Sequence, residues 1–239
     1  MSVVKLEVCV DSLESAIAAQ EGGATRVELC GDLSSGGTTP SYGLIEEARK
    51  RIHIGLHVMI RPRGGDFFYS DLEFEIMKRD VEQAKALRVD GVVFGILTKN
   101  NHVDMARMRI LVGIAKPMKI TFHRAFDIVH EPMQAMEEII HLGIDRILTS
   151  GQKRTAMEGL PLIKQMAEAS KDRIIIMPAS GITSENVNFI LKEAKVKEIH
   201  VGGAVSEIQE YPDAGMFTFK RRVVDCEKVK SFIETMIKD

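Results

Sequence analysis

The chain has 239 residues, 45% of them hydrophobic, and its 32 Lys and Arg stand against 34 Asp and Glu for a formal net charge of -2. That length suits one domain with a sizeable core, and the even mixture of charges excludes the basic stripe that a phosphate backbone requires. The longest apolar runs are strand-sized, which excludes a transmembrane helix, and three cysteines with no leading apolar signal segment fit a reducing cytosol.

Short β-rich runs recur along the chain at residues 4–10, 26–30, 55–61, 90–95, 118–123, 145–149, 173–178 and 197–201, with helical stretches between them. Eight units spaced roughly 20–35 residues apart predict an α/β fold, a single (β/α)8 TIM barrel over residues 1–239. An open doubly wound sheet would carry a glycine-rich turn after the first strand. That turn is Val10-Asp11-Ser12, without glycine. Capping boxes are expected at Asp11-Ser12-Leu13-Glu14, Ser70-Asp71-Leu72-Glu73 and Thr155-Ala156-Met157-Glu158. Pro40 and Pro132 suit first helical positions, and Gly22 and Gly143 suit helix stops. A last helix over about 225–238 is expected to cover the barrel flank.

Three of these strands alternate with period two in a telling way. Leu6-Glu7-Val8-Cys9-Val10-Asp11, Val27-Glu28-Leu29-Cys30 and Leu56-His57-Val58-Met59-Ile60-Arg61 each carry one aliphatic side and one polar side. Polar groups gathered inside a closed sheet cost free energy unless they pair, bind a metal or bind a ligand. Function in such barrels gathers where strands exit, and the exits here are rich in polar chemistry. Strand three runs into Arg61-Pro62-Arg63-Gly64-Gly65-Asp66, and strand five into His123-Arg124-Ala125-Phe126-Asp127. Strands six, seven and eight run into Thr149-Ser150-Gly151, Ala179-Ser180-Gly181 and His200-Val201-Gly202-Gly203.

Among these, Glu7, Glu28, His123 and His200 are the candidate proton-handling residues. A histidine near neutral pKa facing a carboxylate is the minimal kit for moving a proton beside a carbonyl. Arg61, Arg63 and Arg124 suit bidentate capture of a carboxylate or phosphate, with Asp127, Ser150, Gly181 and Gly202 completing a ligand site. The plainer alternatives are a structural ion-pair network at the mouth and core histidines bonded to neighbours. Asp11 is read as a helix cap, His57 as structural, and Asp66 and Asp127 as loop-fixing groups. His53, His102, His130 and His141 show no metal-ligand spacing, and Met105, Met108, Met133 and Met136 read as core filler.

Taken together in order, several blocks resemble a known family. Glu7-Val8-Cys9-Val10-Asp11-Ser12, Arg26-Val27-Glu28-Leu29-Cys30, Gly36-Gly37-Thr38-Thr39-Pro40, Met59 to Phe67, Thr121 to Asp127, Leu148-Thr149-Ser150-Gly151 and Glu158-Gly159-Leu160-Pro161 look like the signature blocks of the CutC copper homeostasis family. The resemblance covers almost the whole chain. It departs at Ala179-Ser180-Gly181, where the family usually runs through glycines, and after His200, where a serine-containing turn is usual. It implies a cytoplasmic TIM barrel linked to copper tolerance and Cu(I) binding, with homo-oligomer formation also entertained. Cys9 and Cys30 are then the metal candidates, soft donors on neighbouring strands with inward residues roughly 5 Å apart if level. Cys226 reads as packing. A copper ion or a small anionic metabolite is the expected partner, and nucleic acid and membrane are not. The alternative is a lyase- or isomerase-like barrel enzyme acting on a small anionic or phosphorylated metabolite, since no hydride-cofactor fingerprint is visible.

Overall fold

Eight short parallel strands form one sheet in the computed structural model, which describes residues 4–211 and 219–237. They are β1 (Lys5–Val10), β2 (Arg26–Leu29), β3 (Gly55–Met59), β4 (Gly91–Phe94), β5 (Lys119–Phe122), β6 (Arg146–Thr149), β7 (Ile175–Pro178) and β8 (Glu198–Val201). Their order is β7-β6-β5-β4-β3-β2-β1-β8, so the sheet curls until its two edge strands, β7 and β8, stand side by side. Between that pair no ladder is present among the described residues, and the barrel is nearly closed. All eight expected strands are present, each a residue or more shorter than its apolar run.

The strands alternate with α1 (Leu13–Glu21), α2 (Tyr42–Arg51), α3 (Asp71–Ala86), α4 (Met105–Ala115), α5 (Pro132–His141), α6 (Leu160–Ser170) and α7 (Val187–Ala194). An antiparallel hairpin, β9 (Ser206–Tyr211) and β10 (Phe219–Val224), precedes the last helix, α8 (Cys226–Ile237). That helix stands where expected, although Lys238 lies outside the described residues. The hairpin has no counterpart in the sequence reading.

Several helix ends follow their local chemistry. At α3 the Ser70 hydroxyl accepts from Glu73 N while the Glu73 carboxylate accepts from Ser70 N, a complete capping box. Pro132 opens α5, where its missing N–H costs nothing, and Gly22 closes α1. Gly143 follows α5 with φ +73°, the left-handed turn that glycine adopts without a Cβ penalty. Three expectations are corrected. Ser12, not Asp11, caps α1, and its hydroxyl accepts from Ser15 N. Thr155 does accept from Glu158 N, but α6 starts later, after Gly159. Pro40 lies before Ser41, which caps α2, so it is not a first helical residue.

The period-two pattern sorts side chains into two environments. Leu6, Val8, Val10, Val27, Leu29, Leu56, Val58 and Ile60 are buried between strands and helices, against residues such as Ala16, Ala19, Ala48, Met77 and Val81. Burying each large aliphatic side chain stabilises the fold by roughly 1.5–3 kcal/mol. The alternate residues, Glu7, Cys9, Arg26, Glu28, Cys30, His57 and Met59, turn to the barrel interior, where the register sets Glu7 level with Arg26 and His200, and Glu28 level with Cys9 and His57. Met108 and Met136 are fully buried as core filler, with Met105 and Met133 partly buried against the same core.

Candidate functional site

The interior is layered, and its lowest layer is ionic. Arg26 donates through Nε to Glu7 and through Nη2 to Glu198 Oε2 at 2.6 Å, and Arg146 Nε donates to the same Glu198 oxygen at 2.7 Å. Arg26 Nη2 also lies 3.2 Å from Met177 Sδ. All four charged side chains are nearly or wholly inaccessible. Burial works against the ionised form of Glu7, but the Arg26 guanidinium and the His200 ring overcome it and hold the carboxyl well below the usual carboxylate range. Burial opposes Glu198 in the same way, and Arg146 and Arg26 again lower it. His57, its Nδ1 3.9 Å from Glu7 Oε2, is pushed down to about 3 by burial and stays neutral.

Above this layer the same Glu7 reaches the candidate site. Its Oε1 lies 2.7 Å from His200 Nδ1, while His200 Nε2 stands 3.9 Å from Glu28 Oε2. Burial disfavours a charged imidazole, but the Glu28 carboxylate, a hydrogen bond with Cys9 and the Glu7 carboxylate raise His200 well above its ordinary value. Glu28 is itself pushed up by burial, against the pull of His200. Its Oε2 accepts from Cys9 Sγ at 3.2 Å and from Cys30 Sγ at 3.7 Å, and its Oε1 is buried with no partner among the described residues.

The two thiols stand 3.8 Å apart, sulfur to sulfur, and both are free. Cys9 is held well above its ordinary value by its hydrogen bond with Cys30 and by burial. At Cys30 the Cys9 contact favours the thiolate, but burial and the Glu28 carboxylate outweigh it and push the thiol up to about 11. Cys30, Met59 and Val93 form a small buried cluster with Cys9 packed against it, which adds a thioether to the sulfurs of this layer. Ligand atoms of Cys9, Glu28 and Cys30 all lie within 4.8 Å of one another, and so do those of Glu7, Glu28 and His200.

Over Cys9 and His200 opens a cavity of about 860 Å³. Its walls come from Asp11, the loops after β2, β5, β7 and β8, and both strands of the hairpin. Arg124, Gly181 and Gly202, three of the expected ligand residues, line it. Asp127 lies behind them. It accepts from Arg124 Nε at 2.8 Å and from the Ser150 amide and hydroxyl, so that it fixes the β5 and β6 exits together.

The other expected residues are engaged elsewhere. Arg61 is buried, and its guanidinium clamps loops by donating to the carbonyls of Ser35, Gly37 and Gly65 at 3.0, 2.9 and 2.8 Å. Arg63 pairs with Glu73 and Asp66 and lies over the Tyr69 ring. His123 caps the short 3-10 turn after β5, packs on Phe67 with ring centroids 4.8 Å apart, and is pushed down to about 3 by burial. The imidazole that meets Glu7 and Glu28 is therefore His200. His102 and His130 approach with ring centroids 5.8 Å apart, on the outside of this site. Cys226 is half-buried on α8.

Four interior residues escaped the sequence reading: Arg26, Arg146, Glu198 and Met59. Their signal was present, because Arg26 and Glu28, Glu198 and His200, and His57 and Met59 are each two apart on one strand. Arg146 has no such polar neighbour two residues on, since position 148 is Leu.

A nearly closed (β/α)8 barrel with sulfur, carboxylate and imidazole groups layered under a polar cavity at its carboxyl end defines the class of protein. The chain belongs to the CutC family, whose model matches residues 4–205. It is 52% identical over 195 residues to a human protein named copper homeostasis protein cutC homolog, an alignment covering 82% of this chain and 71% of that one. With a CutC family protein of Bacteroides fragilis it shares 44% identity over 241 residues, covering 96% of each. The crystal structure of a CutC protein from Streptococcus agalactiae superposes with a TM-score of 0.80 at 39% identity, covering 83% of this chain and 98% of that one. Phosphoribosylanthranilate isomerase from Pyrococcus furiosus, at 13% identity and a TM-score of 0.61, shares the fold.

Proposed function

We propose that this chain binds Cu(I) at the barrel mouth through Cys9 and Cys30 and serves copper homeostasis in a reducing cytosol. The observation that carries the reading is the pair of free thiols on adjacent strands with sulfurs 3.8 Å apart, one at the cavity floor and one fully buried. Thiolate and thioether donors select Cu(I), whereas Mg²⁺ and Ca²⁺ demand oxygen ligands that this cluster does not supply in number. Met59 is the third soft donor beside them. Glu28, with one oxygen near both thiols and the other unpartnered, is placed to receive a thiol proton when a ligand thiolate forms.

The test is Cu(I) affinity by competition with a chromophoric chelator, in wild type, in Cys9→Ala/Cys30→Ala and in Met59→Leu. The double variant is expected to lose tight binding, and Met59→Leu, close in volume, to weaken it while leaving the melting temperature nearly unchanged. Equal affinity in wild type and the double variant would sink this pair as the site. A second reading, a lyase- or isomerase-like enzyme, is favoured by one specific arrangement: His200 between Glu7 and Glu28 at the floor of a cavity large enough for a metabolite.

A further inference from the structure

Copper binding leaves most of the mouth without a task. A single ion has no use for a cavity of about 860 Å³, a size that suits a small organic ligand. The charges on its wall are also unevenly committed. Lys220 is paired with Glu210 at 2.5 Å and Arg221 with Glu14 at 3.3 Å, but Arg222 has no carboxylate partner among the described residues. Arg222 lies against the loop after β8. A Cβ added at Gly203 would stand 2.6 Å from its Nη1, so the guanidinium occupies space that only glycine leaves open.

A second guanidinium faces the same cavity. Arg124 is held through Nε by Asp127 at 2.8 Å and through Nη2 by the Ser150 hydroxyl at 2.9 Å, which leaves its Nη1 without a partner among the described residues. Backbone donors stand between the two. Gly181, Gly202 and Gly203 line the cavity, and their N–H groups donate to no protein acceptor among the described residues. The turn that presents Gly181 is specialised: its φ is +65°, that of Ser180 is +76°, and a Cβ at Gly181 would come within 2.7 Å of Thr155 Cγ2.

The Arg222 fork, the remaining nitrogen of Arg124 and a set of free amides exceed what the two oxygens of one carboxylate can accept, and they match the three terminal oxygens of a phosphate. The opposite charges on the wall narrow the class further. Asp11 and Asp32 line the same cavity, which disfavours a polyphosphate and supplies acceptors for hydroxyl groups. We propose that the cavity binds a small hydroxylated organic phosphate, its phosphate held by Arg222, Arg124 and the amides of the loops after β7 and β8. Phosphate capture there requires no bound copper. It rests on the enzyme reading only for whatever chemistry follows binding at His200.

The experiment uses the full copper-free chain, with ribose 5-phosphate and glycerol 3-phosphate as probes and inorganic phosphate and free ribose as controls. Thermal shift and titration calorimetry are expected to show at least one of the two esters stabilising the protein and binding about tenfold or more tighter than either control. Arg222→Ala, at an exposed position, is expected to melt like wild type without ligand and to weaken the ester by about tenfold or more. Gly203→Ala, which pushes the same guanidinium aside, is expected to do likewise. Cys9→Ala/Cys30→Ala is expected to keep ester binding, which separates this site from the copper pair. Failure of both esters to bind at millimolar concentration would overturn the proposal, as would undiminished binding in both Arg222→Ala and Arg124→Ala. Binding of inorganic phosphate as tight as that of the esters would remove the hydroxyl-bearing ligand and leave a bare anion site.

Discussion

Arg26 is the residue on which the barrel interior turns, and replacing it with Met tests the layered arrangement most directly. Its side chain is 6% exposed and bridges two carboxylates, Glu7 and Glu198, that are 0% and 3% exposed. Methionine retains most of the volume and removes the charge. Glu198 then keeps only Arg146, and Glu7 keeps only the histidines. Breaking a buried ion pair by deleting one partner costs about 3–5 kcal/mol, because the remaining charge stays desolvated. The partners that survive place the expected loss near the lower end, about 3 kcal/mol, out of a total that is typically about 5–15 kcal/mol for a domain.

Urea denaturation followed by circular dichroism at pH 7 measures this as a lower midpoint with an unchanged slope. The pH dependence carries a further sign. Glu7 is depressed in the folded state, so its contribution is fully present above the unfolded carboxylate value and is lost as pH falls. Without Arg26 that loss begins at higher pH. Adding Glu7→Gln to Arg26→Met removes the stranded charge and is expected to recover part of the stability. A loss under about 1 kcal/mol in the single variant, the size of a surface pair, would refute the reading of this layer as a buried, mutually dependent network.

Three other outcomes follow from single side chains. His123, buried and pushed down to about 3, is neutral when folded but protonated when unfolded at mild acid pH, so its contribution is present above pH 6.5 and lost as pH falls toward 3. Between pH 6.5 and 5 it accounts for roughly 2 kcal/mol of wild-type loss, and His123→Gln is expected to flatten the urea stability profile by about that amount. An unchanged profile would reject the assignment. His200 works with the opposite sign, since its raised value contributes stability that is complete below pH 6.5 and is lost as pH rises. At the outer surface, Ser70→Ala removes a complete capping box from α3. It is expected to cost about 1 kcal/mol, read as a fall of roughly 2–4 °C in melting temperature, with Cu(I) affinity unchanged.

Alternation along single strands made the inward set legible. Glu7, Cys9, Glu28, Cys30, His57 and His200 could each be assigned to the interior from their neighbours two residues away, and the structure places them there. What alternation cannot supply is the partner, because period two fixes a side of the sheet and says nothing of register. His123 and His200 therefore looked equivalent beside the carboxylates. Only the level pairing of β8 with β1 brings His200 to Glu7, while β5 carries His123 to Phe67 and the loop after β3. The arginines divide for a related reason. Arg61 and Arg63 follow a strand exit rich in glycine, and their guanidinium groups are consumed by the carbonyls and carboxylates of that irregular loop. Arg124 has an aspartate three residues on, which takes its Nε while the Ser150 hydroxyl takes Nη2, so that Nη1 is left to the cavity.

The mouth cavity draws on a segment that strand counting passes over. After the eighth strand a barrel is complete, yet β10 brings Arg221 and Arg222 back over the mouth, beside the loop after β8. The two proposed ligands then meet different layers of one column. The ionic layer under Glu7 neutralises charge without using either thiol. The sulfur layer above it is compact and mostly buried, and the cavity over that is wide and carries Arg222, a guanidinium with no carboxylate partner among the described residues. Cys9 and His200 belong to both upper levels, since each lines the cavity while contacting the buried cluster. A ligand seated in the cavity would cover the sulfur that an incoming copper ion reaches first. With both proposed ligands bound, occupancy above and loading below would be coupled by sharing these two side chains. By linkage, whatever factor an organic phosphate imposes on Cu(I) affinity, Cu(I) must impose on the phosphate.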